Sequence, residues 1–161
     1  MWEKNDIREI LISENEIQER AKQLGEQITK DYSSKKPLLV GLLRGSVPFL
    51  ADLMKNIDLD IQFDTMDVSS YEGTESVGEI RILKDLDTPI KGLDIILVED
   101  IVDTGRTLQT VKNTLLHRGA ASVTICTLLN KSARRTVDIQ ADYIGFEVAD
   151  EFVVGYGMDF N

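Results

Sequence analysis

The stretch ILVEDIVDTGRT, residues 96–107, is the part of this sequence on which the fold turns. It opens as a short apolar run and ends abruptly in two adjacent acids, Glu99 and Asp100. Beyond Ile101 and Val102 it passes into Asp103, Thr104, Gly105, Arg106 and Thr107. An Ile/Leu/Val run without polar alternation suits a strand covered on both faces, as in parallel sheets flanked by helices. Two carboxylates at the end of such a strand are costly to bury unless something cationic or hydrogen-bonding compensates them. Mg²⁺ takes a few carboxylates and leaves its other positions to water and phosphate oxygens. Glu99 and Asp100 therefore read as ligands of such an ion, or as acceptors for the two hydroxyls of a ribose. The following turn leads into a helix, and its N–H groups, threonine hydroxyls and helix dipole suit a phosphate. A lone acidic turn is ordinarily a capped helix start and nothing more. Acids, turn and helix in immediate succession point to a ligand.

On both sides of this stretch strand and helix patterns alternate. Ser13-Glu14-Asn15-Glu16 reads as a capping box, and Ile17, Ala21, Leu24 and Ile28 continue it as one face of a helix. LLVGLL, residues 38–43, is a second buried strand; Pro48 stands where a helix start tolerates proline, and Phe49, Leu50, Leu53 and Met54 follow as a helix. Residues 59–69 and 79–83 read as strands around a polar, glycine-flanked segment. A third helix is expected from about residue 108 to 118, closed by Gly119. VTICTLL (123–129), ADYIGFEV (141–148) and EFVVGY (151–156) supply further strands. The alternation predicts an α/β fold with a mostly parallel central sheet flanked by helices, one domain over residues 1–161.

Composition narrows the function. The chain has 161 residues, 42% of them hydrophobic, with 18 Lys and Arg against 28 Asp and Glu, a formal charge of -10. A phosphate-backbone binder shows a basic surplus, so no nucleic acid is expected as partner. No apolar run reaches the roughly 20 residues that span a bilayer, and residues 1–8 lack the apolar stretch of a signal peptide, so no membrane is expected either. The single Cys126 sits inside an apolar strand, the habit of a buried thiol in a reducing compartment; the expected localisation is cytoplasmic.

In open parallel sheets ligands bind outside the carboxyl ends of the strands, so the residues waiting there carry the functional reading. After the first strand come Leu43, Arg44, Gly45 and Ser46. A small-residue turn beside an arginine can wrap a diphosphate, and is otherwise an ordinary strand-to-helix turn. Ser69-Ser70-Tyr71 and its polar continuation read as a hairpin loop. Lys131 follows the strand ending in Asn130. His117 stands alone on the third helix, with no cluster for zinc and no serine partner for hydrolysis.

The run 96–107 resembles the phosphoribosyl pyrophosphate signature of type I phosphoribosyltransferases: apolar strand, two acids, two apolar residues, then D-T-G-x-T. The competing phosphate motifs G-x-x-x-x-G-K-[ST] and G-x-G-x-x-G are absent. With Lys131 and FVVGYGMDF (152–160), the likeness is to hypoxanthine-guanine enzymes, and it runs from the first helix to Asp159.

The resemblance implies a type I fold with a small hood and a flexible lid, and Mg²⁺-dependent transfer of a phosphoribosyl group to hypoxanthine or guanine in purine salvage. It implies that residues 103–107 bind the 5′-phosphate and that Asp103 is the general base. Glu99 and Asp100 hold the ribose and metal. Leu43, Arg44 and Gly45 form a pyrophosphate loop with a cis peptide at Leu43–Arg44, and Arg135 or its neighbour Arg134 points to the pyrophosphate. Ser70 and Tyr71 belong to the lid. Ile101, Lys131, Phe152 and Val153 contact the base, and Asp159 serves both base and a second metal. It further implies homodimers or homotetramers. Family members run on with another strand and a pyrophosphate arginine; that strand has no counterpart within residues 1–161. A phosphoribosyl pyrophosphate or nucleotide sensor on the same fold, or an enzyme for xanthine or another base, are the competing readings.

Overall fold

The computed structural model describes residues 12–70 and 79–149. Six strands form one sheet: β1 (Leu38–Leu42), β2 (Gln62–Ser70), β3 (Ile80–Lys84), β4 (Asp94–Val102), β5 (Ser122–Asn130) and β6 (Tyr143–Glu147). Their order is β3-β2-β1-β4-β5-β6. All neighbours run parallel except β2 and β3, which pair antiparallel at one edge. The mostly parallel sheet expected from the alternation is therefore present, with one hairpin added.

Helices α1 (Glu14–Asp31) and α2 (Val47–Met54) cover one face, and α3 (Arg106–His117) covers the other. Burial explains the apolar runs. All five residues of β1 are buried, as are Ile95, Ile96, Leu97 and Val98 of β4. Val40, Ile95 and Leu97 pack towards α3 with Val111 and Leu115; Leu39, Ile96 and Val98 pack towards α1 and α2 with Ile28 and Phe49. A strand packed on both faces has no place for an alternating polar residue. Cys126 lies fully buried in this core.

The helix ends follow local chemistry. In the α1 capping box the Ser13 Oγ accepts from the Glu16 N–H, and Glu16 Oε1 accepts from the Ser13 N–H, both at 3.1 Å. Helix α3 begins two residues earlier than its apolar periodicity suggested. The reason is Gly105, whose φ of 85° turns the chain sharply enough to start the helix at Arg106. Strand β2 starts at Gln62 rather than near 59, because Leu59 and Ile61 pack on the core from the connecting segment without joining the ladder. The expected strand EFVVGY lies outside the described residues.

Strand β1 has β2 on one side and β4 on the other. The connection through α2 therefore leaves β1 towards one edge, while β4 and α3 build towards the other. At such a switch of direction open α/β sheets have their ligand crevice, outside the carboxyl ends of the central strands.

Candidate active site

Three neighbouring strands, β1, β4 and β5, end at this crevice. At the end of β1 the Leu43–Arg44 peptide is cis, as the resemblance implied, and Arg44 is exposed. Gly45 lies so close to β4 that a Cβ on it would collide with the Asp100 carboxylate. The turn expected to hold pyrophosphate and the acid pair thus form one surface. Ser46, fully buried at the start of α2, keeps its Oγ without a hydrogen-bond partner.

At the end of β4, Glu99 and Asp100 are half-buried. Asp100 Oδ1 accepts from the Ile101 N–H at 2.8 Å, and Glu99 Oε1 accepts from the Asp100 N–H at 3.1 Å. Burial, and then the negative charge of Asp100, push the Glu99 carboxyl well above the usual carboxylate range. Among the described residues no three His, Cys, Asp or Glu side chains group as a metal cage. Two adjacent carboxylates, one of them short of compensating charge, fit a hard divalent cation that keeps most of its positions for water and substrate oxygens.

The turn 103–107 follows directly. Gly105 is the left-handed N-cap of α3 and has no side chain to cap it. The N–H groups of 106, 107 and 108 open the helix, where no intrahelical acceptor exists for them. The Arg106 N–H donates to Thr104 Oγ1 at 3.4 Å, and with the helix dipole behind them these groups suit an anion. Asp103 Oδ1 is shielded from water and accepts no hydrogen bond, while Arg134 Nε stands 3.2 Å from it. Ile101 is half-buried and packs with the core beneath the crevice.

At the end of β5, Lys131 is buried to 7% exposure, and its N–H donates to the Val102 carbonyl at 2.9 Å. The lysine is thereby pinned beside the phosphate turn. Ser70 ends β2, opposite Ile80 of β3, so its place in a lid would be at the root. Tyr71, Phe152, Val153 and Asp159 lie outside the described residues.

Arg135 is held by three acceptors. Its Nε donates to the Asp103 carbonyl at 3.2 Å and its Nη1 to the Ile139 carbonyl at 3.0 Å, while Nη2 donates to Asn130 Oδ1. All three guanidinium nitrogens are engaged, at the entrance of the turn 103–107, at the end of β5 and in the loop beyond. Arg134, the neighbour named with it, has its Nε 3.2 Å from Asp103 Oδ1. Asn130 and Thr136, which complete this arrangement, were not singled out from sequence. Asn130 had a signal: like Glu99, it is a polar residue ending an apolar strand.

This crevice joins an acid pair, a glycine-led helix start and a cis-peptide turn, chemistry suited to a sugar carrying phosphate groups. The model of the phosphoribosyl transferase domain matches residues 6–161, and the chain belongs to that family. Within it, the chain is similar to hypoxanthine-guanine phosphoribosyltransferases. It is 53% identical over 156 residues to that of Streptococcus pyogenes serotype M3, covering 96% of this chain and 87% of that one. It is 54% identical over 164 residues to that of Lactococcus lactis, covering 99% and 89%. The crystal structure of a hypoxanthine phosphoribosyltransferase from Staphylococcus aureus superposes with a TM-score of 0.93 at 49% identity, covering 97% and 85%.

Proposed function

We propose that this chain is a purine-salvage enzyme. It transfers the 5-phosphoribosyl group of phosphoribosyl pyrophosphate to hypoxanthine or guanine, giving IMP or GMP and pyrophosphate. The observation that carries the reading is the packing of Gly45 against Asp100, directly before the phosphate turn. It supports a reading in which residues 43–45, the pair 99–100 and the turn 103–107 take the diphosphate, the ribose with its metal and the monophosphate of phosphoribosyl pyrophosphate. Identity above 50% to two hypoxanthine-guanine enzymes supports the choice of base.

In this reading residues 103–107 bind the 5′-phosphate through their amides and hydroxyls, and Glu99 and Asp100 hold the ribose hydroxyls. The same two carboxylates, with Asp159, would hold Mg²⁺, which would supply positive charge to the pyrophosphate leaving group. The backbone of 43–45 and the Arg44 guanidinium receive that leaving group. The Asp103 carboxylate, whose Oδ1 stands 3.2 Å from Arg134 Nε, takes the proton from the five-membered ring of the base. Lys131 donates to the exocyclic oxygen of a 6-oxopurine, Phe152 stacks on the ring, and Ile101 and the Val153 backbone complete the pocket. Ser70 and Tyr71 close over the pyrophosphate and keep water from a ribosyl centre with oxocarbenium character. The enzyme works in the cytoplasm as a homodimer or homotetramer. The charge of -10 argues against nucleic acid as a partner, and no helix among the described residues is long and apolar enough to cross a membrane.

A spectrophotometric assay of hypoxanthine, guanine, xanthine and uracil with phosphoribosyl pyrophosphate and Mg²⁺ tests this. Turnover of hypoxanthine or guanine is expected. Turnover of xanthine or uracil alone would reassign the base, and tight ligand binding without turnover of any base would make the chain a sensor.

A further inference from the structure

We infer that Arg135 is a positioning residue: it braces the phosphate turn from behind and ties it to the end of β5, without touching any substrate. The inference rests on the assignment of residues 103–107 to the 5′-phosphate. It deepens that assignment by naming what aims the turn.

The guanidinium is a planar fork whose donors point in fixed directions, so three acceptors held by one arginine are fixed relative to one another. The three acceptors belong to three separate pieces of chain. The Asp103 carbonyl is the entrance of the phosphate turn, Asn130 Oδ1 is the last residue of β5, and the Ile139 carbonyl closes the loop beyond. The arginine stem has its own task. A Cβ on Gly105 would come within 2.9 Å of Arg135 Cδ and 2.5 Å of Ile139 Cγ2, so stem and isoleucine fill the space behind that glycine. Neighbouring contacts grip the turn from the same side. The Thr136 N–H donates to the Thr104 carbonyl at 3.1 Å, and Arg106 Nε donates to Thr136 Oγ1 at 2.9 Å.

The brace has a second end. Asn130 is 5% exposed and directly precedes Lys131, whose own N–H is bonded to Val102. One guanidinium therefore links the strand end that carries the base-side lysine to the turn that carries the phosphate amides. Movement of either end shifts the other, because both are hydrogen-bonded to the same planar group. Lysine at 135 would offer one compact ammonium, which cannot span three acceptors in a plane.

The test separates a brace from a pyrophosphate ligand. The variants are Arg135→Lys, Asn130→Ala, and Asn130→Asp, which keeps an acceptor oxygen for the guanidinium. Circular dichroism establishes that each is folded. Calorimetry gives the Kd of GMP, and steady-state kinetics give kcat, KM for phosphoribosyl pyrophosphate and the inhibition constant of Mg-pyrophosphate. With a brace, Arg135→Lys and Asn130→Ala weaken GMP about tenfold or more and raise KM, since misaimed amides lose the monophosphate. The pyrophosphate inhibition constant stays within about twofold, and Asn130→Asp returns most of the GMP affinity. Weaker pyrophosphate inhibition with unchanged GMP binding would overturn the inference and make Arg135 a pyrophosphate ligand. Wild-type values for both ligands in every variant would overturn it as well. If Arg135→Lys does not fold, the two Asn130 variants decide alone. A wild-type chain that binds neither GMP nor phosphoribosyl pyrophosphate would sink the proposed function, whereas wild-type binding with unshifted variants sinks only the brace.

Discussion

At Gly45 a hydrogen stands where any other residue would bring a Cβ, and that Cβ would meet the Asp100 carboxylate. Alanine there must push the acid pair or the turn aside. Since misplacement by about 1 Å can cost about 10²-fold, Gly45→Ala is expected to lower kcat/KM for phosphoribosyl pyrophosphate by that order, measured at saturating base. Thermal stability should change far less than activity, because the collision falls in the open crevice rather than in the core. Asp103 is the other residue with a separable effect. Asparagine keeps its size and removes its basicity together with the charge facing Arg134, so Asp103→Asn should lower kcat by about 10²- to 10⁴-fold with little change in binding of phosphoribosyl pyrophosphate. An unchanged kcat would take the base role away from it.

Among the elements, the β2–β3 hairpin and the segment after it depend on one buried acid. Asp64 of β2 is 7% exposed and accepts from the N–H groups of Thr65, Asp87 and Thr88, with Lys84 Nζ 3.3 Å from its Oδ1. Burial alone would raise its pKa; the hydrogen bonds outweigh it and hold the carboxyl below the usual value. A carboxyl with a depressed folded pKa adds stability that is fully present above the unfolded value, about 3.9, and is lost as pH falls through the folded one. Asp64→Asn should therefore destabilise the fold at neutral pH by about 1.5–3 kcal/mol, the usual worth of hydrogen bonds to a charged group. Urea denaturation of both chains at pH 7 and at pH 3 checks the sign: the gap between them must shrink at the lower pH.

At the scale of the molecule, binding and stability are linked because the site is shared among three strand ends. A ligand at about 100 times its Kd adds about 2.7 kcal/mol to the folded state. For a chain of this size that corresponds to a Tm rise of about 5–10 °C. Phosphoribosyl pyrophosphate with Mg²⁺ should produce it in the wild-type chain, and Glu99→Gln combined with Asp100→Asn should abolish most of it. Differential scanning fluorimetry reads both. An equal rise in the double variant would place the ribose and metal elsewhere.

The sequence by itself determined the sheet, the three helices and the chemistry at the strand ends. Those depend on local order: the apolar runs of β1 and β4, the Ser13 capping box, and the succession of acids, turn and glycine between 99 and 107. Each is a few residues long and has its cause within those residues. What only the tertiary structure decided is the meeting of distant segments. Gly45 touches Asp100, and Arg135 reaches Asp103, Asn130 and Ile139 across the sheet's end. A guanidinium can point forward to a substrate or backward to a carbonyl from the same place in the sequence. Its direction is set by which acceptors the packed strands bring within about 3 Å, and no local pattern encodes that.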